Sequence, residues 1–349
     1  MDKLQEVRPL GRTGIRIPPV IFGSSAMGNL YRDIPYEEKR KIAEEWFRTV
    51  DAPIAVDTAG KYGAGLALET LGRLFRDLGV SPDKVILSNK LAWKRAPLRG
   101  SEPTFEPGVW KGLAYDAEQA ISREGIRECW EEGCRLLGAD YRPALVSVHD
   151  PDEYLAGAAD PSERARRLEQ ILGAYETLAE LKSHGEVTAV GVGAKDWRVI
   201  REISGLVQLD WVMLACSLTV HTHPSELLDF VGELGAKGVG IINSAVFNAG
   251  FLIGGRYYDY RLPDPIAEAE LFRWREGFHA LCADFRILPA DACVEFALSP
   301  PGIAAVALNT GSAGHVAGNV QSTQAKAPAP FWRAMMEHHL IAADYPHLG

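Results

Sequence analysis

Eight short apolar runs, separated by helix-like stretches, constrain this sequence more than any other feature. They are PPVIFG (18–23), IAVD (54–57), KVILSNK (84–90), ALVSVH (144–149), TAVGVG (188–193), DWVMLA (210–215), VGIIN (239–243) and IAAVAL (303–308). Each is apolar on both faces, which marks parallel strands covered by helices on either side. Between them, hydrophobic residues recur at helical spacing. Leu71, Leu74, Phe75 and Leu78 form one stripe in 65–79, and Ile42, Trp46 and Val50 form another in 36–50. Gly79, Gly138 and Gly185 stand where helix C-termini favour glycine. Eight strand-then-helix units predict a (β/α)8 TIM barrel, with a doubly wound sheet as the rival.

No linker, repeat or low-complexity tract divides the 349 residues. One barrel domain over 1–349 is therefore expected, since α/β barrels commonly run past about 250 residues. The segment VRPLGRTGIRIP (7–18) reads as a small β-hairpin with Thr13 and Gly14 in its turn. Two stretches, 91–122 and 244–267, are long for loops. In a barrel such loops gather at the C-terminal, catalytic face.

Composition narrows the partners. Lys and Arg number 37 against 46 Asp and Glu, a net charge of −9. No basic run is long enough to follow a phosphate backbone, so nucleic acid is not an expected partner. No stretch of about 18 apolar residues suggests a membrane span. The opening MDKLQEVRPLGRTG lacks the apolar core of a signal peptide. Cys129, Cys134, Cys216, Cys282 and Cys293 are odd in number and fit neither a disulfide framework nor a zinc ribbon. A reduced, cytoplasmic protein is expected, as a monomer or small homo-oligomer. The C-terminal segment 331–349 is partly amphipathic, suited to the barrel bottom or to a subunit contact, with His338 and His339 solvated.

Barrel enzymes carry their chemistry at the C-terminal ends of strands. The second run ends in Asp57, the third in Lys90, and the fourth in His149, followed by Asp150. Tyr62 lies in the glycine-flanked turn TAGKYGAG, above the same strand as Asp57. These types belong together chemically. A free phenol has a pKa of about 10, and a nearby ammonium lowers it. A carboxylate holds that ammonium in place. A histidine donates a hydrogen bond to a substrate oxygen or relays a proton. The set suits moving a hydroxyl proton while a hydride moves elsewhere. Taken singly, each residue also has a plain structural role: a turn cap, a solvated lysine, a packing histidine, a surface tyrosine.

The segments AVDTAGKYG, LSNKL and VSVHD resemble the catalytic tetrad motifs of the aldo-keto reductase superfamily, as does the opening LGRTGIRIPPVIFGSSAMGNLY. The resemblance spans essentially the whole chain. It implies catalytic Asp57, Tyr62, Lys90 and His149. GNLY (28–31), WKGL (110–113) and VHDPDEY (148–154) are similar to the aldose 1-dehydrogenase branch, which includes L-fucose (D-threo-aldose) and L-galactose dehydrogenases.

The resemblance also implies a nicotinamide cofactor, NAD or NADP, bound across the barrel mouth without a Rossmann turn and without a metal. Its pyrophosphate would lie by NSAVFNAGFL (243–252), near Ser244, Val246, Asn248 and Gly250. Gly23, Ser24 and Ser217 would also line its path. Its adenosine end would meet Asn309, Thr310, Gly311, Ser312, His315 and Asn319. No Lys or Arg lies between Ala304 and Gln324, which favours NAD, because a 2′-phosphate would lack a permanent cation. Two places depart from the family pattern. Gly193-Ala194 replaces a Ser-Asn pair, and Cys216-Ser217 stands where an aromatic ring often stacks on the nicotinamide.

Tyr31, Trp93 and Trp110 offer faces for a sugar ring, with Asp150 and Asn29 as polar neighbours. The expected reaction is oxidation of an aldose C1 hydroxyl to a lactone. Three other readings stay open: an NADPH-dependent reductase of small aldehydes, a metal-dependent hydrolase built on His221-Thr222-His223, and a non-catalytic cofactor sensor.

Overall fold

In the computed structural model, which describes residues 2–51 and 53–348, all eight apolar runs are strands of one closed barrel. The chain opens with a hairpin, β1 (Arg8–Pro9) and β2 (Arg16–Ile17), turned through positive-φ Gly11 and Gly14. Barrel strand β3 (Val20–Gly23) leads to helix α1 (Tyr36–Thr49), then β4 (Ile54–Ala59), α2 (Leu66–Asp77) and β5 (Val85–Leu91). A two-stranded antiparallel ribbon follows, β6 (Trp93–Pro97) with β7 (Tyr115–Gln119). Next come α3 (Arg123–Leu137), β8 (Leu145–His149), α4 (Pro151–Ala156), α5 (Pro161–Ser183), β9 (Ala189–Ala194), α6 (Trp197–Ser204) and β10 (Trp211–Ala215). The chain ends with α7 (Ser225–Lys237), β11 (Gly240–Ser244), α8 (Ala269–Phe285), α9 (Pro289–Leu298), β12 (Ile303–Leu308), α10 (Ala313–Ser322) and α11 (Ala329–Glu337). Strands β3, β4, β5, β8, β9, β10, β11 and β12 pair in that order, all parallel. Pairing of β12 with β3 closes the ring.

Strand side chains alternate between lumen and helix layer. In β8, Val146 and Val148 face the helices, and Leu145 faces the lumen. The lower lumen holds Ile21, Ala55, Leu145, Ala189, Trp211, Met213, Ile242 and Ala305. Hairpin residues Leu10 and Ile17 pack against them and plug the N-terminal end. On the outside, Ile42 and Trp46 of α1 are buried, and Trp46 stacks on Phe22 of β3 with ring centroids 5.2 Å apart. Helix α3 starts at Ser122, whose Oγ accepts from the Gly125 N–H at 2.9 Å.

Three regions differ from expectation. Stretch 91–122 is not plain loop, since it contains the β6–β7 ribbon. Stretch 244–267 is tied down by a 3-10 turn (Phe251–Ile253) and a Tyr258–Arg261 bridge. The C-terminal segment does not reach the barrel bottom. Phe331, Trp332, Met335, Leu340, Ile341 and Tyr345 pack instead with Val220, Phe251 and Leu252, which follow β10 and β11. His338 and His339 are exposed. Cys129, Cys216, Cys282 and Cys293 are buried and free, and Cys134 is half-buried and free.

Candidate active site

Alternation along the strands puts Asp57, Ser88, Lys90 and His149 near the top of the lumen. Asp57 lies beside Gly23 of β3 and Ser88 of β5. The Ser88 hydroxyl donates to Asp57 Oδ1 at 3.0 Å, and the Lys90 ammonium donates to Asp57 Oδ2. Both charges are almost wholly removed from solvent. A Cβ on Gly193 would come within 3.0 Å of Lys90 Cδ. The small residue at that departure from the family pattern thus makes room for the lysine stem.

Tyr62 is brought over this pair by its turn. A Cβ on Gly60 would lie 2.1 Å from Trp93 O, and one on Gly63 (φ +63) would lie 2.3 Å from Gly28 O. Only glycines let the turn pass between the first loop and the ribbon. The Lys90 ammonium lies 4.8 Å from the Tyr62 ring centroid. The His149 ring lies 5.8 Å from Tyr62, nearly perpendicular, and the Trp110 ring lies 5.9 Å away. The structure therefore brings Asp57, Tyr62, Lys90 and His149 into one group.

The electrostatics differ from the simple expectation of a lowered phenol. Burial pushes Tyr62 well above its ordinary pKa, and Asp57 and Asp150 push the same way, with Glu106 adding a little. The Lys61 ammonium opposes them. His149 is held well below its ordinary value by burial, then by Lys90 and Lys61, so its imidazole is neutral at neutral pH. Its Nε2 lies 3.6 Å from Asp150 Oδ2, and its Nδ1 is buried without a partner.

Lys61, next to Tyr62, is a residue the sequence reading passes over. Its ammonium meets Asp150 Oδ2 at 2.7 Å, Glu106 Oε1 at 2.9 Å and Glu153 Oε2 at 3.2 Å. Burial disfavours this charge, but the three carboxylates more than offset that and raise its pKa. The signal available in the sequence is a lysine beside the candidate tyrosine, with the acidic run HDPDE (149–153) after β8.

The residues expected around a cofactor fall into three groups. Ser24 and Ser217 are buried and their hydroxyls have no partner; Gly23 ends β3 beside Asp57. In the loop after β11, Ser244 Oγ donates to Leu214 O at 3.2 Å, and Gly250 opens the 3-10 turn with φ +95. Asn248 donates to Asp259 Oδ1 at 2.8 Å, leaving its own Oδ1 buried and unpaired. Val246 does not fit the expectation through its side chain, which lies in the outer core with Val56 and Val306. After β12, Asn309 Oδ1 accepts from the Ala26 N–H at 3.2 Å, and Thr310 and Ser312 hydrogen-bond each other. Ser312 precedes α10 without capping it, His315 is exposed and Asn319 is half-buried.

Gly311 corrects the reading of this loop as lacking a cation. Its carbonyl accepts from Arg32 Nη2 at 2.8 Å, and Arg32 comes from the first loop. Sequence proximity could not reveal this contact.

The expected substrate residues divide. Trp110 is buried, donates its Nε1–H to Glu106 Oε2 at 2.7 Å, and faces Tyr62. Trp93 lies under Lys61, 5.2 Å from the ammonium, with its Nε1 buried and unpaired. Tyr31 stacks on Tyr257, centroids 4.2 Å apart, and its hydroxyl is likewise unpaired. Asp150 is beside His149, as expected. Asn29 is not a pocket group: it spans Asp33, Lys111 O and the Ile34 N–H to hold the first loop together.

Strain collects at this face. Apart from Arg286 and His339, the non-glycine residues with positive φ lie in the loops above the strand ends, including Tyr31, Asp150, Cys216, Asn248, Asp259 and Tyr260. Residues 257–260 cross the mouth. Tyr257 covers Tyr31, and Lys195 lies 5.2 Å from the Tyr260 ring. His221 and His223 do not converge as metal ligands. His221 meets Tyr258 OH, while His223 contacts Thr219 O and accepts from the Ala342 N–H. Among the described residues no group of three His, Cys, Asp or Glu is arranged to hold a metal.

Comparison with known proteins agrees with the barrel fold. Residues 19–339 match the Aldo/keto reductase family. The chain is 24% identical over 352 residues to a pyridoxal 4-dehydrogenase of Microbacterium luteolum, covering 97% of this chain and 99% of that protein. It is 27% identical over 344 residues to a D-threo-aldose 1-dehydrogenase of a Pseudomonas species, covering 94% and 96%. Its fold is similar to that of an aldo-keto reductase from Bacillus halodurans solved in holo form, with a TM-score of 0.68, 19% identity, and 98% and 99% of the two chains covered.

Proposed function

The chain belongs to the aldo/keto reductase family of oxidoreductases, which use a nicotinamide nucleotide, and from that premise we propose that it oxidises the C1 hydroxyl of an aldose of the L-fucose or D-threo type to the lactone. The observation that carries this reading is the Tyr62–Lys90–Asp57 stack with a neutral His149 against it. The relative named D-threo-aldose 1-dehydrogenase supports the substrate class.

The groups at the mouth fit a nicotinamide nucleotide. Buried hydroxyls of Ser24 and Ser217 and the Oδ1 of Asn248 have no partner, and a buried polar atom without one calls for a ligand or water. The first turn of α10 has no side-chain cap, leaving N–H groups that suit a phosphate. When bound, the oxidised nicotinamide accepts the hydride leaving C1.

The chain's own residues handle the proton. The Tyr62 phenolic oxygen takes the C1 hydroxyl proton during oxidation and returns it in the reverse direction. Lys90, fixed by Asp57, steadies the phenolate, and Ser88 fixes Asp57. Neutral His149 donates one N–H to the C1 oxygen and orients it. NAD is the proposed cofactor, because Arg32 is already engaged by Glu38 at 3.2 Å and by Gly311 O.

Two observations favour a second reading, NADPH-dependent reduction of small aldehydes or ketones. The raised Tyr62 phenol suits a proton donor, and the Arg32 guanidinium sits on the Gly311 carbonyl, in the loop where the family resemblance puts the adenosine end. The test is nucleotide reduction with NAD⁺ and with NADP⁺ across L-fucose, L-galactose, D-arabinose and D-glucose. Fast NAD⁺ reduction with one stereochemical set is expected. No reduction with any aldose, together with NADPH-dependent loss of aldehydes, would move the assignment to the second reading.

A further inference from the structure

The proposed mechanism leaves one charge cluster at the mouth unused. Lys61 gathers three carboxylates from two segments: Asp150 and Glu153 at the N-terminus of α4, just after β8, and Glu106 in the loop inside the ribbon. Lys195 joins through Glu153 Oε1 at 2.6 Å. Glu106 is further held by the Trp110 indole. Around Tyr62 there are thus three ammonium groups, Lys61, Lys90 and Lys195, and the carboxylates Asp57, Asp150, Glu106 and Glu153, with buried Asp152 beside Asp150 and Glu153. Negative charge is in excess, and each ammonium already faces a carboxylate.

The cluster abuts a group that awaits a ligand. His149, 6% exposed, stands 3.6 Å from Asp150 with its Nδ1 unpaired. It offers a neutral partner to a substrate. It does not supply the positive charge that a phosphate or carboxylate needs when it leaves water, and a buried anion without a cation is strongly disfavoured.

We propose that Lys61 and its carboxylates set the charge selectivity of the pocket, so that it admits uncharged polyhydroxy substrates and excludes phosphorylated or carboxylated ones. The inference rests on the reading of Tyr62 as the reacting group, and it sharpens the substrate class. Lys61 acts as a positioning residue: it holds Asp150, Glu106 and Glu153 together where they would otherwise repel one another.

The experiment compares kcat/KM for an aldose, for its uronate and for its terminal phosphate ester. The uronate separates charge from bulk. The wild type should favour the neutral sugar over either anion by at least about 100-fold. The double variant Glu106→Gln with Glu153→Gln removes the excess of negative charge and should narrow that gap at least tenfold, chiefly through the KM of the anions. Lys61→Met should raise KM for the neutral aldose more than it lowers kcat, and thermal melting of each variant checks its fold. Equal use of neutral and anionic sugars by the wild type, or an unchanged ratio in the folded double variant, would overturn the proposal. The same ratio is read in reduction, using an uncharged and a carboxylated aldehyde of equal chain length. Charge selectivity on aldehydes without sugar oxidation would refute the aldose reading and leave this one standing. Aldose oxidation with no charge selectivity would do the opposite.

Discussion

At its N-terminal end the barrel is plugged with hydrocarbon; at its C-terminal end it is lined with charge. Leu10 and Ile17 of the hairpin fill the lower lumen against Trp211, Met213 and Ile242. Some ten ångströms higher, by a rise of about 3.3 Å per residue, strands β4, β5 and β8 present Asp57, Lys90 and His149. Strand β8 makes the change within five residues, from Leu145 to His149. The lower end has ordinary packing. The upper end combines buried ions, unpaired polar atoms and left-handed non-glycine residues, each of them costly to folding. The apolar end thus stabilises a barrel whose other end is organised for a ligand.

The largest effect that would test this division is at Lys90. Lys90→Met removes the cation beneath Tyr62 and strands the buried Asp57 carboxylate. Turnover should fall by about 10³-fold, and stability by about 3–5 kcal/mol, read by steady-state kinetics and denaturant melts. Turnover within tenfold of wild type would erase the contrast. Next comes the opposite end: Leu10→Ala should cost about 2–5 kcal/mol of stability while kcat and KM stay within about twofold. A large kcat change with little loss of stability would mean that the two ends are not separable.

The pH profile sharpens the comparison further. Because burial and carboxylates raise the Tyr62 phenol, its basic form is scarce at neutral pH and its acidic form abundant. Oxidation should therefore speed up with rising pH, by roughly tenfold per unit from about pH 7 to about pH 9. Reduction should stay flat over the same range. An oxidation rate independent of pH there would contradict the raised phenol. The smallest effect is expected at exposed Arg32, already paired with Glu38 and the Gly311 carbonyl: Arg32→Ala should change neither NADH nor NADPH binding by more than about twofold in a fluorescence titration. A roughly tenfold loss confined to NADPH would bring Arg32 to the 2′-phosphate and favour the second reading.

The contrast between the ends also explains what the sequence discloses. The barrel strands are legible because both of their faces are buried, so apolar runs stand out against helical periodicity. Asp57, Lys90 and His149 are legible because each is a polar residue closing such a run. The β6–β7 ribbon is not, since WKRAP and YDAEQ are charged segments without an apolar run and pair only with each other. The Lys61 cluster joins residues 89 and 92 positions apart, and Arg32 meets a carbonyl 279 positions away. Such pairings come from barrel closure and leave no periodic trace. The rise in the Tyr62 pKa is hidden for the same reason: a motif names the charges near a phenol but not the depth at which they are buried.

The measurement that bears most directly on the proposed chemistry is made on Tyr62→Phe, with NAD⁺ binding and aldose turnover read on the same protein. The expected result is nucleotide affinity within about twofold of wild type and a loss of about 10³-fold or more in lactone formation, as befits removal of a proton-transfer group. A folded Tyr62→Phe variant that forms lactone at the wild-type rate would contradict the account.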